Sequence, residues 1–204
     1  MDGKMDLLDG IGSLRSVRRF SLERIEPRKI KKILRAATMA ASSSNSQPWH
    51  FVVVTKEQVK RDLGEIFLKT WLSHVQSLAI NARSNRIRLI YKESTSMLRH
   101  TRAIPLLIIA CLDMEKASRI PEAMYASIYP AVQNLMLAAW SLGIGSCLTT
   151  NGTSKLRGEV KSRELLGIPA NVKIAATIYL GYPKGELSPP NRQLVEKVIH
   201  REKW

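Results

Sequence analysis

Two cysteines, Cys111 and Cys147, are all that the 204 residues supply, too few for the disulfide framework that stabilises small secreted scaffolds. There are four histidines, and no pair of Cys or His stands at ligand spacing, so no metal site is expected. Aromatic residues make up 6% and do not interleave with the basic ones as nucleobase-stacking platforms would. Carboxylates are scarce as well: Asp and Glu number 17 against 32 Lys and Arg, a formal net charge of +15. Long apolar runs are nearly missing. The one long uncharged stretch, Ala123 to Ser154, contains Pro130, Gln133, Asn134, Gly143 and Gly145 and ends in Ser, Thr, Asn and Gly. It reads as a buried helix and a turn, and no membrane span is expected. The opening Met1-Asp2-Gly3-Lys4-Met5-Asp6 is charged and lacks the apolar core of a signal peptide, so the expected location is cytoplasmic.

What is present is an ordinary globular composition, 45% hydrophobic and 24% charged, which excludes disordered and collagen-like classes. The length suits one domain, 1–204, with no repeat, linker or composition break to divide it. The positive excess points to an anionic partner: nucleic acid, a phosphorylated cofactor or an acidic substrate. Arg15, Arg18, Arg19, Arg24, Arg28 and Lys29 crowd the start, and Arg83, Arg86, Arg88, Arg99 and Arg102 form a second group. Neither group is an unbroken basic tract, so charge alone does not choose among these partners.

Pro27 suits a first helical turn, and Ile30, Ile33, Leu34 and Ala37 follow at helical spacing. A loop of small hydrogen-bonding residues, Ser42 to Ser46, and Pro48 separate that helix from a strand, Phe51 to Val54. Glu57 to Arg102 has helical composition, with Trp71, Leu72, Val75, Leu78 and Ala79 on one side. Leu106 to Leu112 is a central strand, Ala123 to Leu142 a helix apolar almost all round, and Gly143-Ile144-Gly145-Ser146 its terminator. A short polar helix near Arg157 to Leu166 and a third strand, Ile174 to Leu180, complete an α+β pattern. The tail, Leu194 to His200, has apolar residues and no evident place of its own.

Three polar clusters stand at the ends of these elements, where ligands usually bind. In Arg15-Ser16-Val17-Arg18-Arg19-Phe20, guanidinium groups and a hydroxyl within one turn can fork onto a phosphate, or lie solvated on the surface. The amides and hydroxyls of Ser43-Ser44-Asn45-Ser46-Gln47-Pro48-Trp49 can read the edge of a flat heterocycle, or serve only as a helix cap and turn. The glycines of Gly143-Ile144-Gly145-Ser146-Cys147-Leu148-Thr149-Thr150 permit close approach of backbone to ligand, or merely stop a helix.

In order and spacing these clusters resemble the nitroreductase family of FMN-dependent oxidoreductases. Arg15 to Phe20 is similar to the family's Arg-Arg-Ser-x-Arg-x-Phe phosphate motif. Ala40-Ala41-Ser42 with Asn45 to Phe51 is similar to its Ala-Pro-Ser and Asn-x-Gln-Pro-Trp-x-Phe motif. Gln133 to Ala139 with Leu142 to Ser146 resembles its core helix and glycine turn. Leu180-Gly181-Tyr182-Pro183 followed by Arg192 resembles its closing strand and C-terminal arginine. The resemblance spans residues 15–200.

It implies an FMN-binding fold with a central, mostly antiparallel sheet flanked by helices. It further implies an interlocked homodimer with FMN at the subunit interface and C-terminal segments reaching across to the partner. Arg15, Ser16, Arg18 and Arg192 would hold the phosphate and ribityl chain. Ser42, Ser43, Asn45 and Gln47 would face the ribityl chain and ring edge from the other protomer, and Gly145, Thr149 and Thr150 would lie along the isoalloxazine. Electrons would come from NADH or NADPH and pass, with ping-pong kinetics, to a nitroaromatic, a quinone or a related small molecule. The flavin carries the chemistry, so no catalytic side chain is expected. Four features depart from the pattern: Leu14 replaces a first arginine, Ala41 replaces proline, Pro190 stands where some members have a second cation, and residues 60–102 match no family motif. A dehydrogenase or dehalogenase of the same fold, and a flavin carrier without turnover, are alternatives within the resemblance. A basic nucleic-acid- or anion-binding protein on the same scaffold is a third, against which stands the absence of any helix-turn-helix, RNA-recognition or zinc-finger signature.

Overall fold

The computed structural model describes residues 5–80 and 84–204. Among them, six α-helices and four strands are arranged as α1 (Leu7–Ser13), α2 (Pro27–Ala37), β1 (Trp49–Val54), α3 (Glu57–Ile80), α4 (Asn85–Arg99), β2 (Leu106–Asp113), α5 (Pro121–Ser141), β3 (Gly145–Thr149), α6 (Glu159–Leu166) and β4 (Val172–Gly181). The strands form one sheet in the order β1-β2-β4-β3, and every neighbouring pair is antiparallel. The expected α+β class and antiparallel sheet are thus observed.

Alternation along β2 and β4 builds a core on each face of the sheet. Leu106, Ile108, Ala110, Ile178 and Leu180 pack with Ile33 of α2 and Ile128, Val132 and Leu135 of α5. Leu107, Ile109, Cys111 and Tyr179 face the other way, onto Leu63 and Phe67 of α3 and Met97 and Leu98 of α4. A bulge between Ala110 and Cys111 shifts the register so that Ala110 opposes Ala176 and Cys111 opposes Ile174. One extra residue on β4 therefore leaves Ala175 and Ala176 on the α5 face and returns Ile174 to the α3 face.

Several boundaries differ from the sequence reading, each for a local reason. α1 is an additional helix, capped by the Asp6 carboxylate accepting from the amides of Leu8 and Asp9. The helical stretch 57–102 is two helices, α3 and α4. Trp71 stacks edge-on against Tyr91 at 6.0 Å and donates from Nε1 to Thr95 Oγ1 at 2.8 Å, which ties one to the other. Leu72 is 40% exposed and does not share that face. The side chains of Val75, Leu78 and Ala79 lie outside the described residues. α5 is not buried all round, because Tyr125 and Tyr129 stack on its outer side at 5.8 Å and are exposed. The glycine segment is itself an edge strand: only Gly143, with φ of 75° and open space beside it, makes the turn. Among the described residues no helix is long and apolar enough to cross a membrane.

Candidate flavin site

Antiparallel pairing puts the two polar motifs at diagonal corners of the sheet. At the β3 edge, the amide of Val17 donates to Ser146 O at 2.8 Å and Ser16 bridges Ser146. Ser146 lies in one row with Leu180 and Leu106. At the β1 edge, the Ser42–Gln47 loop leads through Pro48 into Trp49, which pairs with Leu112 at the other end of β2. Three inter-strand steps and the six positions from Leu106 to Leu112 put the corners roughly 25 Å apart at ordinary sheet spacings.

The first corner is arginine and hydroxyl. Arg15 donates from Nε to Ser13 O at 2.7 Å and from Nη1 to Leu187 O at 3.1 Å, and it lies over the Trp140 ring at 5.5 Å. A second Nη1 bond goes to Ser188 O, so the tail is anchored here, and among the described residues nothing accepts from the two Nη2 hydrogens. Arg18 donates from Nε to Ser94 Oγ at 3.2 Å, and among the described residues neither of its Nη groups has an acceptor. Burial raises the pKa of Cys147, opposed by the Arg18 charge and a hydrogen bond with Ser16. That thiol is a neutral floor beneath the two motif residues. Ser146 Oγ, buried in the same place, has no hydrogen-bond partner among the described residues. A corner with unused guanidinium hydrogens and an orphaned buried hydroxyl fits a phosphate-bearing group.

Gly145 has a packing reason of its own. A Cβ there would stand 2.6 Å from Val17 Cγ2, so its missing side chain lets the Arg15–Phe20 segment lie flat on β3. Thr149, at the far end of β3, donates to Thr177 O at 3.2 Å and accepts from the Asn151 amide at 3.4 Å. Thr150 is exposed. Arg192 is exposed on the tail and donates to Asn191 O at 3.2 Å.

The second corner is a strained amide loop. Ser44, Asn45 and Gln47 have φ of 51°, 52° and 47°, a left-handed conformation that costs on the order of 1 kcal/mol per residue and clusters at functional sites. Internal bonds hold it: Ser42 Oγ accepts from the Gln47 amide at 3.0 Å, and Ser127 Oγ accepts from the Ser43 amide at 3.1 Å. Gln47 Nε2 donates to Asn45 Oδ1 at 3.3 Å, which leaves Gln47 Oε1 to accept and Asn45 Nδ2 to donate, the complement a heterocycle edge requires. The sequence reading missed the supports of the first corner, Ser13, Trp140, Glu93 and Ser94. Glu93 and Ser94 belong to the stretch with no motif. Trp140 had a signal, its place one turn before the glycines of a quoted motif. Among the described residues no cluster of three His, Cys, Asp or Glu side chains could hold a metal ion.

The fold is thus an antiparallel sheet with an arginine and hydroxyl corner on one edge and an amide loop on the other. The profile of the Nitroreductase family matches residues 11–182, and the chain belongs to that family as an FMN-dependent oxidoreductase. A protein of Archaeoglobus fulgidus that bears the provisional name NADH dehydrogenase/NAD(P)H nitroreductase is 33% identical over 98% of this chain and 99% of its own length. A similarly named Parabacteroides distasonis crystal structure superposes with a TM-score of 0.71 at 28% identity, covering 97% of this chain and 98% of that one. An iodotyrosine deiodinase structure bound to FMN and 3-iodo-L-tyrosine shares the fold, with a TM-score of 0.76 at 22% identity over 98% of this chain.

Proposed function

We propose that two copies of this chain pair to make two FMN sites, each fed by NADH or NADPH and each reducing a small nitroaromatic, quinone or related acceptor. The observation that carries this reading is the diagonal placement of the two corners. The two corners stand on opposite edges of one sheet, roughly 25 Å apart at backbone level, and a pairing that sets one chain's arginine corner against the other chain's amide loop brings both to a single FMN. The exposed Leu194, Val195, Val198 and Ile199 of the tail and the outward Tyr125 and Tyr129 of α5 supply apolar surface for that pairing.

In this reading Arg15, Arg18 and Arg192 neutralise the phosphate, and their planar forks fix its orientation better than lysines would. Ser16 meets the phosphate end, and Gly145 lets backbone come close to it. Ser42, Ser43, Asn45 and Gln47 of the second chain hold the ribityl chain and ring edge, with Thr149 and Thr150 along the ring. FMN, when bound, takes electrons from the reductant and gives them to the acceptor. The chain's own work is to bind, orient and exclude water; no side chain is needed as proton donor, since solvent can supply protons.

The test is a visible spectrum of the purified protein, followed by NADPH added without oxygen. A flavin spectrum that bleaches supports the reading, and a colourless protein that refuses added FMN overturns it. Replacing Arg192 with Ala should weaken FMN retention about tenfold or more, the scale of one lost charge-assisted contact. Unchanged retention would remove Arg192 from the site.

A further inference from the structure

A cleft of about 580 Å³ opens where β1 ends and β2 begins, between Leu22–Ile25, the start of α2 and the first turn of α3. None of its lining residues belongs to either flavin corner. Its floor is apolar: Ile25 and Leu106 are buried, and Ile30 is partly so. Its walls carry Arg24, Lys56, Lys60 and Arg102 against one carboxylate, Glu57. That carboxylate is already engaged, because Arg102 donates to Glu57 Oε2 from Nε at 3.1 Å and its Nη2 lies 3.1 Å from the same oxygen. Among the described residues Arg24, Lys56 and Lys60 make no ion pair, so four cations share the one carboxylate.

Lys60 is the telling one. It is only 4% exposed, which is expensive for an ammonium group unless its charge is met. Its Nζ donates one bond, to the Ile104 carbonyl at 2.5 Å. Two of its three hydrogens therefore have no acceptor among the described residues. Burial lowers its pKa, Glu57 raises it and Arg24 lowers it further. Capping Ile104 explains one bond; it does not explain why a buried charge faces Arg24. The first turn of α3 opens at the same place, and its free amides add a partial positive charge.

We propose that this cleft binds a phosphorylated small molecule with an apolar body, the phosphate among Lys60, Lys56 and Arg24 and the body against Ile25, Ile30 and Leu106. Four cations against one carboxylate suit a dianion better than a single carboxylate ligand, and the volume suits a compact ligand. This site stands apart from the flavin reading and does not rest on it.

The probe is phenyl phosphate, titrated calorimetrically into FMN-saturated protein at physiological ionic strength, with phenol, benzoate and inorganic phosphate in parallel. Phenyl phosphate should bind more tightly than each of the other three. Replacing Arg24 and Lys56 together with Ala should weaken it about tenfold or more and leave the flavin spectrum unchanged. Lys60→Met, which keeps the length of the buried stem, should weaken binding similarly. If that variant melts early, the surface pair decides alone. No binding at millimolar phenyl phosphate, equal binding of benzoate, or equal binding by the Arg24/Lys56 variant would each overturn the proposal.

Discussion

At Gly145 an added methyl would meet Val17 at 2.6 Å and 2.9 Å and Pro183 at 3.1 Å. Gly145→Ala should therefore lower stability by about 1–3 kcal/mol, the cost of overpacking a close contact, and urea denaturation will measure it. Loosened docking of the Arg15–Phe20 segment should reduce FMN retention in the same variant. Cys111 makes a prediction about pH. Burial, partly opposed by the charge of Arg163, pushes its thiol from 9.0 up to about 12. Below pH 9 the thiol is protonated in both folded and unfolded chains, so its contribution to stability is fully present. Above pH 9 the unfolded chain ionises while the folded chain cannot, and stability falls until about pH 12. The loss from this one group is at most about 1.4 kcal/mol per pH unit. Comparing urea midpoints at pH 8 and pH 10, Cys111→Ala should lose less than the parent protein; an equal loss would refute the assignment.

At the scale of elements, the N-terminal segment is bound to α4 as well as to β3. Arg19 meets Glu93 in a two-pronged contact, Nε to Oε2 at 2.8 Å and Nη2 to Oε1 at 2.6 Å. The Glu93 carboxyl is accordingly held below its usual pKa, first by that hydrogen bond. Arg19→Ala should speed amide exchange across Asn85–Arg99, and the parent protein should show a milder version of the same change at high salt. The sequence showed both central strands because β2 and β4 are buried on two faces: Leu106 to Leu112 is a continuous apolar run, and Ile174 to Leu180 is one interrupted only by Thr177. It hid β3, because Gly145 is disfavoured in strands and stands two positions after the Gly143 that stops α5, so the segment is strand only through pairing with Gly181, Leu180 and Thr177. It also hid the break between α3 and α4, since both sides are built of good helix formers. Of the site, the arginine and amide motifs could be read from residue type and spacing. Their supports could not: Arg15 lies over Trp140, 125 positions away along the chain, and only the fold brings such partners together.

For the whole molecule, the sheet sets the distance between the two corners, and under the proposed pairing of two chains that distance decides how activity is shared. Helices α2 and α5 on one face and α3 and α4 on the other make the sheet a rigid spacer, so neither corner can move toward its own chain's other corner. Genetic complementation follows. An Arg15→Ala chain and an Asn45→Ala chain, each inactive alone, should regain activity when unfolded together and refolded as a mixture. In a mixed pair, one site inherits both defects and the other inherits neither. With equal amounts and random pairing, about one quarter of the parental turnover should return, the share expected of a symmetric two-chain assembly. A mixture that stays silent, while each chain alone still folds, would mean that both corners serve the same chain.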